Sequence, residues 1–109
     1  MDDEKYTAAF DLIMNAGNAK SSAMMAIEAA RNFEFEEADK HLKEAAENMH
    51  KAHQAQFDMI QEEANGNPVD VNVVLVHAQD HLTMAIMAKD NAEEFIQLYK
   101  IIKELKEGK

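Results

Sequence analysis

Cysteine is absent from the 109 residues, which excludes a disulfide frame, a thiolate zinc site and a cysteine nucleophile on this chain and fits a reducing compartment. Tryptophan is absent too, proline occurs once, at Pro68, and glycine three times, at Gly17, Gly66 and Gly108. With so few backbone punctuators, turns are few and the elements between them must be long. Lys and Arg dominate no stretch and the net charge is −10. That disfavours nucleic acid and anionic membrane surfaces, and suits a basic protein partner. No run of about eighteen apolar residues exists to span a bilayer. The opening Met1-Asp2-Asp3-Glu4-Lys5 is acidic where a signal peptide is basic. These absences predict a cytoplasmic chain forming a single domain over residues 1–109, with one modest core.

What is present is mostly helix former. Asp2 or Asp3 can cap a first helix over about 3–31, with Tyr6, Phe10, Ile13, Met24 and Ile27 as its buried face. The pattern stumbles at Asn32-Phe33. Glu36-Glu37 then place acid in the first turn of a second helix, about 35–64, whose apolar stripe is Ala38, Leu42, Ala45, Met49, Ala52, Met59 and Ile60. Asn65-Gly66-Asn67-Pro68 ends it: Gly66 can adopt the left-handed conformation of a helix C-terminus, and Pro68 cannot continue the hydrogen-bond ladder. A third helix follows over about 70–106, started by Asp70 or Asn72. The valines between Val69 and Val76 would suit a strand, but one with nothing to pair with is marginal, so the segment reads as helix. The expectation is an all-α, antiparallel up-down-up three-helix bundle.

At about 100° per residue, the third helix has two apolar faces. Val71, Leu75, Ala78, Leu82, Ala85 and Ile86 suit packing into the bundle. Val73, Val76, Met84 and Met87, continued by Leu98, Ile101 and Leu105, form a second face for which a three-helix bundle has no interior. A helix apolar on both sides is buried on both, which predicts self-association around a shared axis. Asp80 lies within the second face. A carboxylate there is either solvated at the rim, or converges with its symmetry mates and needs a cation between them. In the second case a ring of oxygens completed by water suits Mg²⁺.

His77 and His81, at i and i+4, share a face at the edge of both stripes. Periodicity leaves four roles open: a zinc pair lacking the glutamate of H-E-x-x-H, boundary residues bonded locally, a general base, or a phosphoryl acceptor, for which a neutral imidazole is a competent nucleophile. His41, His50 and His53 lie on the charged second helix and read as surface residues. The methionines read as core filling at helical spacing. Two other function classes stand beside these: a helical adaptor that docks another protein's helix on the second stripe, and a di-iron bundle, for which the single Glu47-x-x-His50 pair is too few.

The segment Val74-Leu75-Val76-His77-Ala78-Gln79-Asp80-His81-Leu82 resembles the signature of the enzyme IIA component of the lactose/cellobiose-specific phosphotransferase system. The resemblance extends through Ala16-Gly17-Asn18-Ala19-Lys20-Ser21, Ala52-His53-Gln54-Ala55-Gln56, Glu63-Ala64-Asn65-Gly66 and Ala92-Glu93-Glu94-Phe95-Ile96-Gln97-Leu98-Tyr99. It implies a cytoplasmic homotrimer of three-helix bundles, a phosphohistidine at His77, and Asp80 as the ligand of one Mg²⁺ ion per trimer on the symmetry axis. It also implies transfer from the phosphohistidine of HPr to His77, then to a cysteine of enzyme IIB. The flow ends in uptake of a β-linked disaccharide (cellobiose, chitobiose or lactose type) through the membrane component IIC. Gln79 and His81 are candidate supporting donors. Ala78 after the histidine resembles the cellobiose and chitobiose branch. Thr83-Met84 reverses the Met-Thr order usual in the family, which brings a methionine beside Asp80 and leaves His77 untouched.

Overall fold

The computed structural model describes residues 4–108, so the expected caps Asp2 and Asp3 lie outside the described residues. The described residues form three helices: α1 (Glu4–Arg31), α2 (Phe35–Ala64) and α3 (Val73–Lys106). No strand occurs among the described residues, and no helix is long and apolar enough to cross a membrane. The bundle is slender, 62 × 23 × 19 Å, and its length follows from α3, whose 34 residues rise about 1.5 Å each.

Both helix-to-helix links close by the same hydrogen-bond pattern. After α1, the N–H of Glu34 donates to the carbonyl of Ala29 and that of Phe33 to Ala30, both at 2.9 Å. After α2, Asn67 donates to Glu62 at 2.9 Å and Gly66 to Glu63 at 3.1 Å. This pairing satisfies orphan carbonyls and needs one left-handed residue. Gly66 fills that role at φ 92 as its sequence context predicts; in the first link the residue is Phe33, at φ 62. A non-glycine residue is strained there, and its ring is held in place. It lies 6.2 Å from the Phe35 ring, and the Lys106 Nζ of α3 sits over it at 5.6 Å.

The third helix begins at Val73, later than the expected 70. Of the two proposed starters, Asn72 is the cap: extended at φ −144, it accepts a hydrogen bond from the Leu75 N–H on Oδ1 at 2.9 Å. Residues 67–72 form no helix, and the Asn72 cap fixes where α3 starts. Val71 therefore lies outside the helix and is 78 % exposed instead of facing the core.

The core differs from the expected one in its first helix. The buried stripe of α1 is Ala9, Leu12, Ala16, Ala19, Ala23, Ala26 and Ala30, at alternating steps of three and four, while Phe10 and Met24 are more than half exposed. Tyr6, Ile13 and Ile27 are half-buried. The expected face followed the largest side chains, but alanine lets helix axes approach closely and needs no large side chain to be buried. α2 buries Ala38, Ala45, Met49 and Ala52, and α3 buries Ala78, Leu82, Ala85, Ala92 and Ile96; Ile60, expected inside, is 57 % exposed. Only Leu12, Met49, Leu82 and Ile96 among the buried apolar residues exceed alanine in size. At one end Ala9 to Ala19 pack with Met49, Ala52, Ala78, Leu82 and Ala85; at the other Ala26 to Ala30 pack with Ala38 and Ile96. Helix α1 packs along both others, which meet each other far less.

Candidate functional site

The site lies on the second and third turns of α3, where buried Ala78 and Leu82 anchor the helix to the core and so fix what its other faces present. His77 is exposed and His81 half-buried. Their spacing of four residues stacks them on one side of the helix, and the structure brings the two Nε2 atoms to 3.1 Å. The rings meet edge to face, with centroids 4.5 Å apart and planes at 78°.

Gln79 is not part of this pair. It sits about 160° round the helix from His77 at about 100° per residue, and its Oε1 accepts a 2.7 Å hydrogen bond from Gln56 Nε2 of α2. Within one chain the two amides brace α2 against α3. Thr83 turns its hydroxyl back onto the Gln79 carbonyl at 3.1 Å, so its Oγ1 donates within its own helix.

Asp80 is exposed, on the face opposite the core, between Val76 and Met84, which are 52 % and 47 % exposed. From it a strict seam runs along α3 at alternating steps of four and three: Asp80, Met84, Met87, Asn91, Glu94, Leu98, Ile101, Leu105, all exposed. Such spacing repeats every seven residues, the pattern of a helix that packs lengthwise against another helix. Among the described residues no group of three or more His, Asp or Glu is placed to hold a metal ion. Asp80 is far along the seam from Glu94, the other carboxylate on this face, and a hard-oxygen site needs several oxygens close together.

The remaining histidines divide. His50 and His53 are exposed on the outer side of α2, where they line a shallow groove with Phe57 and Ile60. His41 is not a surface residue: its side chain is 17 % exposed and lies between Glu37, 3.6 Å from Nε2, and Glu44, 3.7 Å from Nδ1. A groove of about 600 Å³ at the same end of the bundle as His77 is lined by Asp11, Asp58, Glu62 and Asp70, with Met59 and Leu75 at its base. Its acidic rim would repel a phosphorylated ligand.

The sequence reading missed a second apolar surface, on α1, where Phe10, Met14, Met24 and Met25 are each about half exposed. The signal for it is the seven-residue alanine repeat, which claims the core face and turns the large residues outward.

The chain is an all-helical rod with the paired imidazoles of His77 and His81 on its surface. A model of the family described as "PTS system, Lactose/Cellobiose specific IIA subunit" matches residues 7–100. The lichenan-specific phosphotransferase enzyme IIA component of Bacillus subtilis is 46 % identical over 104 residues, 95 % of this chain and 94 % of that protein. The crystal structure of the cellobiose-specific enzyme IIA from Bacillus anthracis superposes with a TM-score of 0.92 at 42 % identity, covering 95 % of each chain. The IIA(chitobiose) chain solved in complex with HPr, from Escherichia coli, gives a TM-score of 0.80 at 30 % identity, covering 94 % of this chain and 99 % of that one. The chain belongs to the lactose/cellobiose-specific IIA family, and it is a phosphotransferase component of sugar uptake.

Proposed function

We propose that this protein is the middle carrier of a phosphoryl relay, with His77 taking the group from the phosphohistidine of HPr and passing it to a cysteine of enzyme IIB. The observation that carries the reading is His77 itself: an exposed imidazole, on a helix anchored by Ala78 and Leu82, in a chain of the IIA family. In-line transfer between two nitrogens needs positioning and donors for the equatorial oxygens more than covalent assistance. No Lys or Arg occurs between Lys51 and Lys89. A phosphoryl group on His77 therefore gains no cation from its own stretch of chain, which keeps it transferable and leaves positive charge to the partner. The relative solved with HPr supports HPr as donor. The sugar is a β-linked disaccharide of the cellobiose, chitobiose or lactose type, moved through the membrane component IIC while this protein works on the cytoplasmic side.

The assembled form is a homotrimer of up-down-up bundles, with the α3 seam on the axis. Large apolar residues are outside and alanines inside, the reverse of a self-sufficient domain, and an exposed apolar stripe of this length marks an interface. Three copies of Asp80 would then converge. Their carboxylates, completed by water, make a hard-oxygen set of the kind Mg²⁺ takes, and the ion would offset their mutual repulsion.

Phosphorylated HPr should label the wild-type protein and leave His77→Ala unlabelled. Equal labelling of the two defeats the assignment. Adding a matched enzyme IIB should discharge the wild-type label onto the IIB cysteine.

A further inference from the structure

We propose that His81 is a positioning residue for His77. Its Nε2–H donates to the Nε2 of His77, holds that ring as the Nδ1–H tautomer, and moves onto a phosphoryl oxygen when the group arrives. The inference rests on His77 being the acceptor through Nε2, and it adds what prepares that nitrogen.

The two Nε2 atoms are 3.1 Å apart, within hydrogen-bonding range, and between two neutral imidazoles such a bond has one N–H and one lone pair. The edge-to-face contact at 78° joins the rings at their nitrogens and keeps them from stacking face to face. Polarity follows from the chemistry. An imidazole nitrogen attacks phosphorus with its lone pair, so a proton on the His77 Nε2 would block attack from that atom. With His81 as donor, the lone pair stays on the exposed residue and the N–H on the half-buried one. A neighbouring hydrogen bond sets the tautomer of a histidine in this way.

The step balances without an added base. The Nε2 lone pair of His77 forms the new N–P bond while the N–P bond of the phosphohistidine donor breaks, and that electron pair returns to the donor's imidazole, which carries a proton on its other ring nitrogen and so leaves neutral. No proton crosses during transfer; the Nδ1–H of His77 can leave to water afterwards. Once the lone pair is consumed, the His81 N–H has lost its acceptor, and an anionic phosphoryl oxygen now lies beside it. The new bond is charge-assisted and stronger than the one it replaces. On a stretch with no Lys or Arg between residues 51 and 89, the His81 N–H is a donor placed to steady the phosphate.

Nitrogen-15 spectra of the full-length, unphosphorylated protein read the tautomer directly. Phosphorylation by phosphoramidate, a small chemical donor, then reads reactivity without a protein partner, with mass spectrometry locating the phosphate. Wild type should show the His77 Nε2 without a proton. His81→Phe, which keeps a ring and removes the donor, should move His77 toward the Nε2–H form and slow phosphorylation by about ten- to a hundredfold, up to the usual loss for one preorganised donor. His81→Gln, whose amide N–H reaches a similar place, should restore most of both. A proton on Nε2 of wild-type His77, or an unchanged tautomer in His81→Phe, overturns the proposal. Phosphate on another residue would instead refute the carrier role of His77, and with it the phosphoryl half of this inference.

Discussion

Two single residues hold the links, and they do so with opposite chemistry. Gly66 occupies φ 92, and a Cβ built there meets nothing within 4 Å, so the effect of a substitution is confined to the backbone. Gly66→Ala should destabilise by about 1 kcal/mol, the usual penalty for an L-residue in the left-handed region. Thermal unfolding at fixed protein concentration checks it, with a fall of a few degrees expected for a domain of this size. Asn72→Ala removes the side-chain acceptor that caps α3 and should cost about 1 kcal/mol as well. Gly66 was legible because only glycine accepts its backbone cheaply. Phe33 was legible only as a stumble in the pattern, since nothing in a phenylalanine announces φ 62; the Phe35 ring beside it is local, but the Lys106 ammonium comes from the far end of α3. The histidine pair shows the same limit. Spacing of four residues places His77 and His81 side by side, whereas which nitrogens meet depends on rotamers that spacing does not encode.

Among the elements, α1 is the one whose faces a sequence reader inverts. Its length and bounds follow from helix propensity and from the break at Asn32-Phe33. Its phase does not, because weight given to Phe10 and Met24 points to the wrong side while the alanine repeat points to the right one. The distinction has a measurable consequence. Ala16 and Ala23 are fully buried, and Ala23→Leu must force apart helices that meet across alanine, which costs about 1–3 kcal/mol by the usual penalty for overpacking. Urea denaturation should show the loss as a lower midpoint with little change in slope. A stabilised Ala23→Leu would mean the bundle is loosely packed there. The α3 faces were read correctly in their division, one toward the bundle and one away, because both stripes run for several turns and reinforce each other. Val71 was misassigned because α3 starts after it, and Ile60 because it lies outside the buried stripe of α2.

At the scale of the whole molecule, the chain places small residues inside and large ones outside, and that asymmetry locates what the sequence of one chain leaves unfinished. In the proposed trimer the seam from Asp80 to Leu105 packs against other copies of the chain. Met84→Lys and Met87→Glu each put a charge where three copies would converge, and like charges brought together at close range repel. Sedimentation of wild type should give a trimer, and either variant a shift toward monomer at the same concentration; a trimer unaffected by both would move the interface off this face. Asp80 should behave in the opposite sense. Replacing it with Leu removes the mutual repulsion and the desolvation of three carboxylates, and a buried charged cluster replaced by apolar side chains of similar volume is often neutral or stabilising by about 1–4 kcal/mol. Asp80→Leu should therefore remain trimeric and melt at the same temperature with or without EDTA. Wild type should lose stability when EDTA strips the axial ion, because the ion binds only the assembled state and stabilises it by mass action. If EDTA leaves the wild-type melting temperature unchanged and metal analysis of the trimer finds no divalent ion, the carboxylates face solvent and the axis is held by the apolar seam alone.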